Sequence, residues 1–334
     1  IDLAAVIVDA VPCADKVRFA STGSEADAFA MRLARAYRGR DKILKFEGGY
    51  HGFSDYGQMS LAPRQPGNTS RPTPDSAGIP DNVRDNMLVA PFNDADAVAG
   101  LIRGHKDSIA AVFMEPLQRL IPPRPGFLEA MREMTAENDI LLVFDEVITG
   151  FGRTGSMFGA DSFGVTPDLM CIAKQVTNGA IPMGAVIASS EIYQTFMNQA
   201  TPEYAVEFPH GSTSSAHPVA CAAGLAALDL LQKESLVQSV AEVAPHFENA
   251  LHGLKGSKNV IDIRNYGLAG AIQIAPRDGD AIVRPFEAGM ALWKAGFYVR
   301  FGGDTLQFGP TFNSKPQDLD RLFDAVGEVL NKVD

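Results

Sequence analysis

Two residues in the middle of the chain have the types and the spacing for one kind of chemistry. Asp145 ends the apolar run Ile140-Leu141-Leu142-Val143-Phe144, and Lys174 follows a second run, Leu169-Met170-Cys171-Ile172-Ala173, 29 residues later. Runs this short and bounded by charge read as buried parallel strands, and ligands bind where such strands end. An acid and a lysine presented together at strand ends suit pyridoxal phosphate. The lysine amine holds that cofactor as a Schiff base, and the carboxylate keeps the pyridine nitrogen protonated so that the ring acts as an electron sink. A plainer account fits the same stretch: Asp145 caps a strand and Lys174 is a solvated loop residue.

Other segments bear on that choice. The short strand Val17-Arg18-Phe19-Ala20 runs into Ser21-Thr22-Gly23-Ser24-Glu25-Ala26, which opens a helix. Free N–H groups and the helix dipole at such a turn receive an anion, a phosphate above all, although a helix cap followed by a glutamate has the same pattern. The strand Lys42-Ile43-Leu44-Lys45-Phe46 leads to Glu47-Gly48-Gly49-Tyr50-His51-Gly52, where paired glycines bend the backbone and present an aromatic face able to stack on a flat ring. A simple turn with a half-buried tyrosine is the alternative. The strand Ile109–Met114 ends in Glu115-Pro116.

The elements that must position these residues alternate between strand and helix as far as residue 235, which predicts a mostly parallel α/β sheet. Met183–Ala188 is a further strand, and the hydroxyl-rich segment Phe208–Pro218 opens a long helix of small residues. From about Val260 the pattern changes to short strands and turns, closed by a helix over Asp318–Leu330. The reading is therefore a large domain over 1–235 and a smaller α+β domain over 236–334. Residues 57–82, rich in proline, glycine, serine and asparagine, read as a surface or entrance loop.

Composition narrows the function classes. A chain of 334 residues predicts roughly two domains. Its net charge of −11, with no basic run, argues against nucleic-acid and membrane partners. Three scattered cysteines, Cys13, Cys171 and Cys221, form neither a disulfide framework nor a zinc pattern, which points to a reducing cytoplasm and no metal. No signal peptide is recognisable and no apolar run approaches 18 residues. The chain starts directly in a helical pattern without a methionine, so a native N-terminal segment is expected to be absent.

Taken together, STGSEA at 21–26, GGYHG at 48–52, EP at 115–116, FDEVITGFGRTG at 144–155, TPDLMCIAK at 166–174 and HGSTSSAHPVACAAG at 210–224 resemble the class III aminotransferases, members of the fold-type I pyridoxal-phosphate enzymes. The resemblance spans the whole chain in order. It implies that Lys174 bonds the cofactor and shuttles protons, that Asp145 pairs with the ring nitrogen, and that Val147 and Tyr50 cover the two ring faces. It further implies that Gly23 and Ser24 bind the phosphate, that Thr213 adds a hydroxyl from the neighbouring subunit of a homodimer, and that Glu115 orients the Asp145 end. His51, in the same motif as Tyr50, joins the cofactor-binding set. Arg153 is expected to be a structural ion-pair partner.

Within the family, residues 176–180, 196–203 and 217–224 resemble the ω-amino acid (β-alanine):pyruvate aminotransferases, also called amine transaminases. Residues 38–48 and 90–94 resemble glutamate-1-semialdehyde aminomutases. The first set lies nearer the cofactor and is given more weight. In that subgroup Arg300, within Tyr298–Thr305, is implied to grip the substrate carboxylate and swing aside for an uncharged amine. The segment after Asp304, Leu306–Thr311, departs from the subgroup's usual small-residue and double-proline ending. The expected activity is transamination from an ω-amino acid or amine to a keto acid such as pyruvate. Intramolecular amino exchange and a cofactor-binding chain without turnover are the alternatives. A nicotinamide-dependent dehydrogenase is disfavoured, because Glu25 and Ala26 follow Thr22-Gly23-Ser24 where the dinucleotide fingerprint needs further glycines.

Overall fold

The computed structural model describes residues 1–61, 72–198, 208 and 211–334. The middle of the expected entrance loop, residues 199–203 of the segment 196–203, and His210 lie outside the described residues. Two compact units are present. The first comprises residues 1–119, 123–151 and 158–230, and the second residues 120–122, 152–157 and 231–334.

The first unit is built on a seven-stranded sheet: β1 (Lys16–Ala20), β2 (Lys42–Phe46), β3 (Met87–Ala90), β4 (Ile109–Met114), β5 (Leu141–Asp145), β6 (Leu169–Ala173) and β7 (Gly184–Ala188). Their order is β1-β7-β6-β5-β4-β2-β3. The four pairings from β3 through β6 are parallel. Every residue of β4, β5, β6 and β7 is buried, which is why these strands read as unbroken apolar runs. β7 reverses and runs antiparallel to both β6 and β1. A parallel return needs a crossover of a dozen or more residues, and the link from β6 to β7 holds only a 3-10 turn over Lys174–Thr177.

After α1 (Asp2–Ala10), α2 (Gly23–Arg38) starts immediately after β1 and lies on the sheet. Its start is fixed by a capping box: Thr22 Oγ1 accepts the Glu25 N–H at 3.1 Å, and Glu25 Oε2 accepts the Thr22 N–H at 3.1 Å. Its buried face carries Ala26, Asp27, Ala30, Met31, Leu33 and Ala34, the helical spacing of a core stripe. The alanines pack with Ala111, Phe113, Val143 and Cys171 of the sheet in one core. Small side chains on α2 let the helix approach the strands closely, and that sets the depth at which its N-terminus ends.

The second unit has a four-stranded antiparallel sheet of β8 (Val260–Tyr266), β9 (Ala269–Ile274), β10 (Arg300–Gly302) and β11 (Thr305–Phe308), in the order β10-β11-β9-β8. Helices Leu236–His252 and Pro316–Lys332 bury residues at helical spacing, and Phe247 of one meets Phe323 of the other edge-on at 5.5 Å. Among the described residues no helix is long and apolar enough to cross a membrane.

Candidate active site

β5 and β6 lie side by side with Asp145 paired opposite Cys171, so the chain passes Lys174 just beyond the sheet edge next to Asp145. Successive residues of a strand point to opposite faces, and this separates the two adjacent acids. Asp145 borders a cavity of about 370 Å³. Glu146 turns the other way and is consumed structurally: it accepts from the Gly159 N–H at 2.8 Å, the Ala160 N–H at 2.7 Å and the Thr149 hydroxyl.

At Lys174 the backbone turns into the left-handed region, with φ +44°. That conformation costs a non-glycine residue roughly 1–2 kcal/mol. It ends β6 abruptly and places the lysine side chain on the cavity wall. Asp145 is held on both oxygens: Oδ1 accepts the Val147 N–H at 3.1 Å, and Oδ2 lies 2.9 Å from His51 Nδ1. Burial lowers the His51 pKa. The ring is therefore neutral, and with a carboxylate facing Nδ1 the proton sits there.

The N-terminus of α2 forms a neighbouring part of the wall through Gly23 and Ser24, whose N–H groups belong to the first helical turn and lack intrahelical partners. Gly23 is needed for space. A Cβ there would sit 3.0 Å from a Val147 methyl and 3.3 Å from Ala173 Cβ. Gly52 is needed for conformation and space together, with φ +81° and a Cβ that would fall 2.5 Å from Ser24 Cα. The Tyr50 loop is thus pressed onto the helix N-terminus. Its other anchors are the buried Lys45, whose Nζ donates to the carbonyls of Gly49 and Met59, and Gln118, which donates to the Glu47 carbonyl at 2.8 Å.

Glu115 completes this end. Its Oε1 accepts the Tyr50 N–H at 3.0 Å, and burial, reinforced by the charge of Asp145, pushes its pKa up to about 7. Three acids, Asp27, Glu115 and Asp145, face one lysine in the cavity wall. Electrostatically the sheet end of the site favours a cation, while the α2 end favours an anion.

Of the residues singled out from sequence, Gly23, Ser24, Tyr50, Glu115, Asp145, Val147 and Lys174 converge on this cavity. His51 does not line it. It is fully buried behind Asp145, because its ring packs edge-on against Phe113 at 4.7 Å and its Nδ1 reaches back to the acid. Thr213 is exposed and stands outside the lining of its own chain's cavity. Arg300 opens β10 in the second unit, where it is exposed. Arg153, expected to form an ion pair, instead donates to the carbonyls of Leu268 and Pro310 at 3.0 and 2.7 Å and lies over the Phe312 ring. Carbonyls and a ring partner its guanidinium, and burial lowers its pKa to about 10.

Two wall or support residues were not read from sequence. Asp27 had a signal: it falls on the spacing Asp27, Ala30, Met31, Ala34, the one charge on a core stripe. Lys45 had another, a lysine enclosed by an apolar strand.

Residues 1–330 match the family described as aminotransferase class-III. The chain belongs to that family. The aminotransferase is 66% identical over 353 residues to an ω-amino acid–pyruvate aminotransferase of Pseudomonas putida, covering 99% of this chain and 78% of the relative. It is 57% identical over 335 residues to a β-alanine–pyruvate aminotransferase of Pseudomonas aeruginosa, covering 95% of this chain and 75% of the relative. Its fold matches the PMP-bound form of an aminotransferase from Vibrio fluvialis with a TM-score of 0.86 at 27% identity, over 99% of this chain and 78% of that one. A phosphorylated pyridine cofactor, as this family uses, fits what the cavity offers. First-turn N–H groups without intrahelical partners would hold its phosphate, the Asp145 carboxylate would pair with its ring nitrogen, and the cradle over Gly23 is one that a single Cβ would crowd.

Proposed function

We propose that this aminotransferase is a pyridoxal-phosphate-dependent ω-amino acid:pyruvate transaminase. The observation that carries the proposal is the adjacency of Asp145 and Lys174 at neighbouring strand ends, lining one cavity together with the N-terminus of α2. The names of the two Pseudomonas relatives supply the substrate pair.

When bound, pyridoxal phosphate supplies a carbon electrophile for the amine and an electron sink in its ring. The chain's own residues do the rest. Gly23 and Ser24 would hold the phosphate on first-turn N–H groups. Asp145 would keep the proton on the ring nitrogen, with His51 and the Val147 N–H fixing the carboxylate. Val147 and Tyr50 would bound the ring's faces. Lys174 Nζ would take the proton from the amine-bearing carbon of the substrate and return one during the other half-reaction. Arg300 would grip the carboxylate of the keto acid.

The active form in this reading is a cytoplasmic homodimer, with Thr213 of one chain serving the cavity of the other; its exposure and its absence from its own cavity support that assignment.

The test is the absorbance spectrum with pyridoxal phosphate. The visible band of the protein-bound cofactor should disappear on adding β-alanine and return on adding pyruvate. In Lys174→Ala the turnover should fall by about 10⁴-fold or more, because both the covalent tether and the proton carrier are lost. A bound cofactor that does not respond to β-alanine but responds to glutamate-1-semialdehyde would favour the aminomutase reading.

A further inference from the structure

Asp27 has no part in the roles assigned so far, yet it lies in the second turn of α2 with only 3% of its surface exposed, on the wall of the same cavity. One polar atom each of Asp27, His51 and Asp145 lies within 4.8 Å of the other two. Asp145 has two donors, the Val147 N–H and His51 Nδ1. Asp27 has the thiol of Cys171, and its Oδ1 has no hydrogen-bond partner among the described residues. Between two buried carboxylates this close a second charge is strongly disfavoured, and most of all on the one with the poorer donors.

We propose that Asp27 is a protonated, neutral acid beside Asp145, so that Asp27 adds no second negative charge to this end of the cavity. Every charged or titratable group facing Asp27 bears on this. Asp145 on β5 and Glu115 after β4 repel a second anion, Cys171 on β6 is buried and keeps its thiol proton, and His51 is neutral. The Cys171 thiol, which donates to it, and the charge of Lys174 favour the anion. Burial and the neighbouring Asp145 accordingly hold the Asp27 carboxyl well above the ordinary range.

Asp27 is thus a positioning residue with a consequence for Lys174. A neutral Asp27 places one charge fewer beside the lysine on the cavity wall. This consequence rests on the role proposed for Lys174; the protonation of Asp27 does not.

The experiment is the melting temperature of the full chain, without added cofactor, for wild type, Asp27→Asn and Asp27→Ala from about pH 5 to pH 8, a window that lies above the ordinary aspartate pKa of about 3.9. In this window the folded chain keeps a proton on Asp27 that the unfolded chain has released. The folding equilibrium therefore loses about tenfold per pH unit from this one group. Both variants remove that loss, so their melting temperatures should gain on wild type steadily as the pH rises. A difference that stays flat, or turns against the variants at high pH, would mean an ionised Asp27 balanced by a protonated His51 and would overturn the proposal. Any constant offset from packing leaves the slope untouched, and either variant alone decides it. The result is independent of whether the chain transaminates.

Discussion

His51 Nδ1 lies 2.9 Å from Asp145 Oδ2 with both side chains buried, so the histidine fixes the direction in which the acid faces. Among the described residues the Val147 N–H alone holds the other oxygen. His51→Ala should cost roughly 1.5–3 kcal/mol of this charge-assisted bond. That corresponds to a rise of roughly tenfold to a hundredfold in the cofactor Kd. Fluorescence titration with pyridoxal phosphate measures it, and an unchanged Kd would show that the backbone alone positions Asp145.

The contact of the Tyr50 loop with α2 gives a second expectation. Gly52→Ala places a Cβ 2.5 Å from Ser24 Cα at a backbone φ of +81°. The strained conformation costs on the order of 1–3 kcal/mol, and relief of the clash must shift the helix N-terminus. Stability and cofactor affinity should both fall. Gly39→Ala, with φ +61° and open space around the new Cβ, should lower the melting temperature alone.

Lys45 predicts a pH dependence. Burial lowers its pKa to about 7, and as a neutral amine it has two N–H groups for the Gly49 and Met59 carbonyls. The sign follows from proton counting. Between the folded value and the unfolded value near 10.4, the unfolded chain holds a proton that the folded chain lacks, so this group makes stability rise with pH across that window. Lys45→Met should abolish that rise while loosening the loop, read as melting temperature against pH from about 7 to 10.

For Arg300, the expected split is kinetic. Arg300→Ala should raise the KM for pyruvate by about tenfold to a hundredfold, the worth of a lost charged hydrogen-bond pair, and barely change the KM for an uncharged amine. Equal effects on both substrates would remove Arg300 from carboxylate binding.

How much of this was legible in the sequence follows from the range of the forces involved. The buried strands were visible because all-buried strands have no polar face, as in β4, β5 and β6. The capped start of α2 was visible because Thr22 and Glu25 act within one turn. The reversal of β7 was not read, since it depends on the length of the link relative to the sheet rather than on any pattern within the strand.

Arg153 shows the limit for charges: its residue type called for an acid, and only the folded second unit supplied the Leu268 and Pro310 carbonyls. Asp27 shows the limit for cores. On the sequence it is one polar residue in a helical stripe, and its meaning appears only when β5 and β6 bring Asp145 and Cys171 against it.

The sequence by itself pointed to the class of chemistry, because an acid and a lysine each follow a short apolar run that forms a buried strand and the neighbouring motifs resemble one family. The tertiary structure decided which of Asp145 and Glu146 faces the cavity, what holds that acid, and which buried groups lie beside it. Those outcomes depend on contacts between residues far apart in the chain, such as His51 with Asp145, and on desolvation, which no local pattern encodes.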